Sequence, residues 1–348
     1  MDDRYLETIP QRYEVFCNEY PDLSLCRVIL QEKGLYQIIS PAGMRQARVS
    51  GKFQYGTKTV SDYPAVGDYV MADLNGADMA VVHVVLPRTS VFLRKAAGSG
   101  NEEQVVATNI DTVFLCMALN NDFNLRRLER YLSVAWDSGA TPVVLLTKAD
   151  LCHDLPAETA LVEGVAAGAD IISVSALEGD GCQAIAPYLT KGKTLAFVGS
   201  SGVGKSTLIN HLLGEDRLRT NGLRDDDKGR HTTTRRELFV LPGGAMVIDT
   251  PGMRELSMWD AGEGLSAAFA DIEALAEGCR FKDCTHRTEP HCAVRAALER
   301  GELSEARLMS YRKLKAENAW SEDAGHYLEA KEKKFKKIAK YNKANRKK

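Results

Sequence analysis

Gly199-Ser200-Ser201-Gly202-Val203-Gly204-Lys205-Ser206 is the stretch on which the reading of this chain turns. It satisfies the spacing G-x-x-x-x-G-K-[ST]. It stands between an apolar run, Thr194–Val198, that reads as a strand and a run from Thr207 to Leu213 that reads as a helix. Glycines let the backbone wrap around phosphate oxygens, and the first N–H groups of the helix point at the anion. Gly199 to Ser206, with Thr207, are therefore candidate nucleotide contacts. Lys205 would reach the β and γ phosphates, and Ser206 would ligate Mg²⁺. The motif implies a nucleoside triphosphate without naming its base.

The base is addressed upstream. Thr147-Lys148-Ala149-Asp150 directly follows the apolar run Pro142–Leu146, and Ser175-Ala176 follows Ile171–Val174. In P-loop GTPases an [NT]-K-x-D sequence ends a strand. Its Asp carboxylate accepts both N–H groups on the guanine edge, and the Lys stem lies over the base. Adenine lacks that donor pair and would leave the carboxylate unsatisfied, so the site selects guanine. The Ser175-Ala176 pair resembles the loop whose backbone contacts the guanine oxygen. A capping Asp would explain four residues alone; two such loops at strand ends beside a phosphate loop point to GTP and GDP.

Downstream, Asp249-Thr250-Pro251-Gly252 ends another strand-like run and matches the D-x-x-G switch. Asp249 would hold Mg²⁺ through water, and the Gly252 N–H would sense the γ-phosphate. Gly229-Arg230-His231-Thr232-Thr233-Thr234 supplies a threonine for the other switch, with Thr234 favoured as the Mg²⁺ ligand and Thr233 second. Met253 follows Gly252, where Ras-like enzymes carry a glutamine. An apolar side chain cannot orient the attacking water, so slow intrinsic turnover is expected, with His231 or a partner's group in that role.

Around this centre the pattern is α/β: Thr112–Ala118, Leu125–Ser138, Pro142–Leu146, a helical stretch and Ile171–Val174 alternate as in a parallel sheet with crossover helices. Glu237–Leu241 and Ala245–Ile248 flank Pro242-Gly243-Gly244 and read as a hairpin. The grammar before it differs. Arg27–Leu30, Leu35–Ile39, Gln46–Val49, Tyr69–Ala72 and Ala80–Leu86 read as short strands separated by turns. They fit a small barrel of the oligonucleotide-binding (OB) type, or another small β-barrel or sandwich. Ala96 to Asn101 reads as an interdomain linker. The expected organisation is multidomain: an OB-type barrel in 1–95, a permuted P-loop domain in 105–258, a mainly helical metal-binding domain in 259–330 and a basic tail in 331–348.

Composition excludes several classes. The 348 residues are 44% hydrophobic and 26% charged. The apolar runs fall far short of the ~18 residues a membrane span needs. The N-terminus has no apolar secretory core, so a cytoplasmic protein without a membrane partner is expected. Of eight cysteines only Cys279, Cys284 and Cys292 are bunched, and with His286 they give C-x4-C-x-H-x5-C. Three thiolates and an imidazole suit a closed, structural Zn²⁺ site, with His291 a competitor for His286. From Lys331 to Lys348 ten Lys or Arg face one Glu, a net +9, which leaves −11 on the rest of a chain whose total is −2. The aromatics Phe335 and Tyr341 interleave that charge and fit RNA contact, although a solvated helix end would look the same.

Placing the base loops before the phosphate loop reverses the usual order. That order, with an OB-like barrel in front and a Cys/His cluster behind, resembles the ribosome small-subunit-dependent GTPase A family over roughly residues 25–320. The resemblance rests on TKAD, SA, GSSGVGKS, GRHTTT, DTPG and the zinc pattern together. It implies GTP hydrolysis stimulated by the small ribosomal subunit, a role in late maturation of that subunit, and contact with its rRNA, by a chain expected to be monomeric. A nucleotide-dependent RNA-binding module with incidental hydrolysis is the alternative. A P-loop kinase is disfavoured by the base loops.

Overall fold

A short helix, α1 (Glu14–Glu19), precedes strands β1 (Ser24–Glu32), β2 (Leu35–Ser40) and β3 (Gly43–Val49); helix α2 (Gly51–Gly56) then leads to β4 (Tyr69–Asp73) and β5 (Ala80–Val85). The computed structural model describes residues 10–32, 34–40, 42–57, 59–76, 79–95, 103–218, 236–249 and 262–319. The five strands pair in the order β1-β2-β3-β5-β4, and β4 returns to β1, so the barrel is closed. Only the β3–β5 pair is parallel. This closed five-strand order is OB-like, a distinction that counting strands could not make. Cys26, Val28, Ile38, Ala47, Val70 and Val82 fill its interior.

Next come β6 (Val91–Lys95) and β7 (Glu103–Thr108), an antiparallel pair in which Val91 faces Thr108. The sequence pattern showed a polar linker here and missed both strands. Residues 96–102 lie outside the described residues; the strands on either side of them pair with each other.

The α/β unit follows: β8 (Thr112–Ala118), α3 (Leu125–Ser138), β9 (Thr141–Thr147), α4 (Leu155–Glu163), β10 (Asp170–Val174), β11 (Thr194–Val198), α5 (Lys205–Leu213), β12 (Arg236–Val240) and β13 (Met246–Asp249). Every residue of β8 and β11 is buried, as a parallel strand covered on both faces requires. Asn124 caps α3 by accepting the Arg127 N–H at 3.0 Å, and Gly139 ends it with φ +84°. A side chain at Gly139 would also meet the Thr89 carbonyl at 2.9 Å, so this stop demands glycine.

The strand order is β10-β9-β8-β11-β13-β12, with all neighbours parallel except β13 and β12. Parallel strands deliver their carboxyl ends to one edge, whatever their order along the chain. Strand β11 lies between β8 and β13, so β8 alone separates the phosphate-loop strand from β9, with β10 beyond it, the two strands that carry the base loops. Permutation changes the threading and leaves the edge intact.

Two further joins make one body. β12 pairs antiparallel with β1, Leu30 facing Glu237 and Gln31 facing Arg236, so barrel and α/β unit share an 11-stranded sheet. The buried Arg27 of β1 stacks over Tyr69 at 4.7 Å and donates to Thr194 Oγ1 of β11 at 2.8 Å. On the other side, α6 (Gly262–Ala268) packs on α3, and α7 (Ala270–Ala276), α8 (Ala293–Glu299) and a helix over 305–319, α9, join the same core. Leu265, Phe269, Ile272, Leu308 and Tyr311 share a core with Leu128 and Leu132. A Cβ on Gly264 would sit 2.1 Å from the Ser133 carbonyl, so α6 can approach α3 this closely only through glycine. Arg307 of α9 crosses the same junction to Glu129 of α3 at 2.9 Å and to Asp271 of α7 at 2.7 and 2.8 Å. Among the described residues no helix is long and apolar enough to cross a membrane.

Candidate nucleotide site and metal centre

At the end of β11 the chain must turn beneath its neighbour. A Cβ at Gly199 would stand 2.6 Å from the Cys116 carbonyl of β8, so only glycine fits. Gly202 and Gly204 adopt φ of +72° and +105°, the left-handed region that favours glycine. Gly204 caps α5, which begins at Lys205 and carries Ser206 and Thr207 in its first turn. Ser201 and Gly202 form the exposed crest of the loop, while Val203 is buried beneath it. Lys205 Nζ donates to the carbonyls of Gly199 and Ser200, both at 2.6 Å. The ammonium is thus folded inside its own loop and would have to leave those carbonyls to reach phosphates.

The base loops stand on the same edge. Thr147, buried at the end of β9, donates its hydroxyl to the Val203 carbonyl at 2.6 Å. This bond spans 56 positions of sequence and stitches one predicted loop to the other. Lys148 then takes φ +56°, and its carbonyl accepts the Leu151 N–H at 3.0 Å, closing the turn Ala149–Leu151. That turn presents Asp150 to solvent. Ser175, buried at the end of β10, accepts the Gly179 N–H on its carbonyl at 2.8 Å and donates its own N–H to Asp180 at 2.9 Å. A tight loop through the half-buried Ala176 results. Asp249 closes β13 opposite Glu237. His231, Thr234 and Gly252 lie outside the described residues.

One group at this edge escaped sequence reading. Asp122, in the β8–α3 turn, accepts the Ser200 hydroxyl and receives one guanidinium nitrogen of Arg127 on both its oxygens, at 2.9 and 2.8 Å. Burial raises its pKa, but the Ser200 and Arg127 contacts outweigh this and hold the carboxyl below its ordinary value. No motif marks it. Its signal is position alone, at the carboxyl end of a strand adjacent to β11.

The cysteine cluster forms between α7 and α8. The ligating atoms of Cys279, Cys284, His286 and Cys292 all lie within 4.8 Å of one another. Cys279 and Cys292 sulfurs are 3.8 Å apart, and His286 Nδ1 lies 3.6 and 3.5 Å from them. A tetrahedral ion with bonds of about 2.3 Å to sulfur and about 2.0 Å to nitrogen sets edges of roughly 3.8 and 3.5 Å. The donor set therefore fits a four-coordinate metal ion. Burial works against a thiolate at Cys279, yet the N–H groups of Val294 and Ala293 at the start of α8 and the neighbouring thiols hold its pKa below the ordinary thiol value. Burial, with Lys315 and Arg312 nearby, lowers the His286 pKa below the ordinary imidazole value. Both shifts favour the ligating forms, whereas burial pushes the Cys284 thiol up to about 11. His291 does not join the four; its carbonyl instead accepts the Arg280 N–H.

The RsgA GTPase family model matches residues 85–259. The small ribosomal subunit biogenesis GTPase RsgA 2 of Lactiplantibacillus plantarum is 53% identical over 297 residues, 85% of this chain and 84% of that protein. The small ribosomal subunit biogenesis GTPase RsgA of Opitutus terrae is 50% identical over 306 residues, 85% of this chain and 83% of that one. Among solved structures, YjeQ from Thermotoga maritima aligns with a TM-score of 0.63 at 25% identity, over 84% of this chain and 97% of that chain. YloQ, described as a circularly permuted GTPase, aligns at 0.60 and 24% identity over 86% and 96%, a likeness of fold. On this identity and coverage, with the permuted strand order beneath it, the chain belongs to the RsgA GTPase family and is a GTP hydrolase.

Proposed function

We propose that this GTPase acts in late maturation of the small ribosomal subunit, hydrolysing GTP to GDP and phosphate under stimulation by the subunit and coupling nucleotide state to its hold on rRNA. The observation that carries the nucleotide reading is the Thr147 to Val203 hydrogen bond, which draws the base loop and the phosphate loop together at one edge. Asp150 then reads guanine, Lys148 lies over the ring and Ser175-Ala176 meets its oxygen. Residues 199–207 hold the phosphates, with Lys205 released from its carbonyls to the β and γ groups. The ribosomal reading is supported by the relatives, whose names give small ribosomal subunit biogenesis as their task.

Ser206 and Thr234 would hold Mg²⁺, with Asp249 bonding through water; the ion supplies charge neutralisation at the phosphates. Gly252 would report the γ-phosphate. His231 would orient the attacking water, since Met253 offers no polar group. The four residues of the cysteine cluster would hold Zn²⁺ as a structural ion, joining helices too short to stand alone. The barrel and the basic tail 331–348 offer the rRNA contacts.

The test is GTP hydrolysis by the full chain with and without purified small subunits. Turnover well above the basal rate, with ATP a poor competitor, is expected. A rate unchanged by subunits would remove the ribosomal role, and equal competition by ATP would remove the guanine reading.

A further inference from the structure

The phosphate loop is held by side chains from two other strand ends, and only one of them belongs to a nucleotide motif. Thr147 of β9 fixes the carbonyl of Val203. Asp122, after β8, fixes the hydroxyl of Ser200, whose carbonyl is already bonded to Lys205 at 2.6 Å. Loop positions on both sides of the exposed pair Ser201-Gly202 are thereby anchored to the sheet. An ionised carboxylate only accepts, so Ser200 must donate to it, and its hydroxyl proton is committed to Asp122. Asp122 is itself positioned from two directions. Its backbone N–H donates to Asn120 Oδ1 at 3.0 Å, and Arg127, in the first turn of α3, holds both oxygens.

We propose that Asp122 is a positioning residue for the phosphate loop, holding Ser200 against the start of α3 so that the loop meets nucleotide preformed. This rests on the reading of 199–206 as the phosphate loop. A loop kept in its binding shape loses less conformational freedom when nucleotide arrives. Because the contact does not change with the reacting γ-phosphate, it favours substrate and transition state alike, and its loss acts on KM rather than kcat.

Helix α3 extends the consequence. Three residues beyond Arg127, Arg130 bonds Glu317 of α9 at 2.6 and 3.0 Å, and Glu129 receives Arg307. The element that braces the phosphate loop at its first turn therefore grips the C-terminal helices along its length.

Steady-state GTP hydrolysis and labelled-GDP binding by the full chain test the proposal. D122A should raise KM and the GDP dissociation constant about 3- to 10-fold, the scale of one charge-assisted hydrogen bond at a half-exposed site, with kcat within about 2-fold. D122N keeps an acceptor oxygen for Ser200 and should recover most of that loss. S200A removes the donor without touching Arg127; it should raise KM in the same direction, and S200A/D122A should be no worse than D122A alone. A KM unaltered in S200A, or additive effects in the pair, overturns the proposal, even where D122A folds poorly. K205A separates the two ideas. Binding retained in K205A sinks the phosphate-loop reading itself, whereas binding lost in K205A but normal in S200A sinks only the role of Asp122.

Discussion

The phosphate loop and the cysteine–histidine cluster are both made of turns, yet they are stabilised in opposite ways. The loop emerges from a strand buried along its whole length, is underlain by Val203 and Leu208, and is bonded at Ser200 and Val203 by side chains from neighbouring strand ends. Its shape is a property of the sheet. The cluster lies between two seven-residue helices, α7 and α8, well short of the ~12 residues at which an isolated helix begins to hold. Its donor atoms meet without a covalent link among them. There four donor atoms gather within 4.8 Å of one another, and a metal ion held by them would set the shape. Preformation by a core suits a site that must release its ligand, whereas a permanent ion suits a region with little core of its own.

Metal removal strains this contrast most. Chelation should accelerate amide exchange over 277–300 strongly, since binding at structural zinc sites is worth on the order of 10 kcal/mol of folding energy. Exchange in β8 and β11 should stay slow and GDP affinity should stay within about 2-fold. Parallel loss of nucleotide binding would show that the two regions are not independent.

The junction between them comes next. R307A leaves Glu129, fully buried, without its cross-helix cation. Leaving a buried charge unpaired costs about 3–5 kcal/mol; Glu129 keeps Arg126 of its own helix, so the loss should fall below that range. Urea unfolding should reveal it, and R307M/E129Q should regain much of the loss. A difference under about 0.5 kcal/mol, the level of an ordinary surface change, would mean that Arg307 adds nothing to the hold on α9.

The smallest effect belongs to the stitch. T147V deletes one buried hydrogen bond, about 1 kcal/mol, and should weaken GDP binding roughly 5-fold, with T147S close to the parent. Unchanged affinity in T147V would mean that the loop keeps its shape without this bond.

Much of this architecture was legible in the sequence because motif and periodicity coincided. GSSGVGKS fell between a buried strand and a helix, TKAD and SA each closed a strand, and the bounds of β8, α3 and β11 follow from their apolar patterns. The cluster of Cys279, Cys284, His286 and Cys292 was readable from spacing, since ligands so near in sequence have few ways to be far apart. What the sequence hid were relations at a distance. The strands β6 and β7 were masked by the polar residues between them. The pairing of β1 with β12 joins residues some 200 positions apart, and nothing local announces it. Asp122 escaped notice because its partner Ser200 is 78 positions away.

That β1–β12 pairing bears on how the molecule can be dissected. A fragment starting near residue 105 would keep every nucleotide motif but strip β12 of its neighbour, leaving N–H and C=O groups of a hydrophobic strand open to any chain that could add to it. Such a fragment would be prone to self-association for reasons unrelated to GTP. The barrel, besides any contact with RNA, serves as the cover on an otherwise sticky sheet margin.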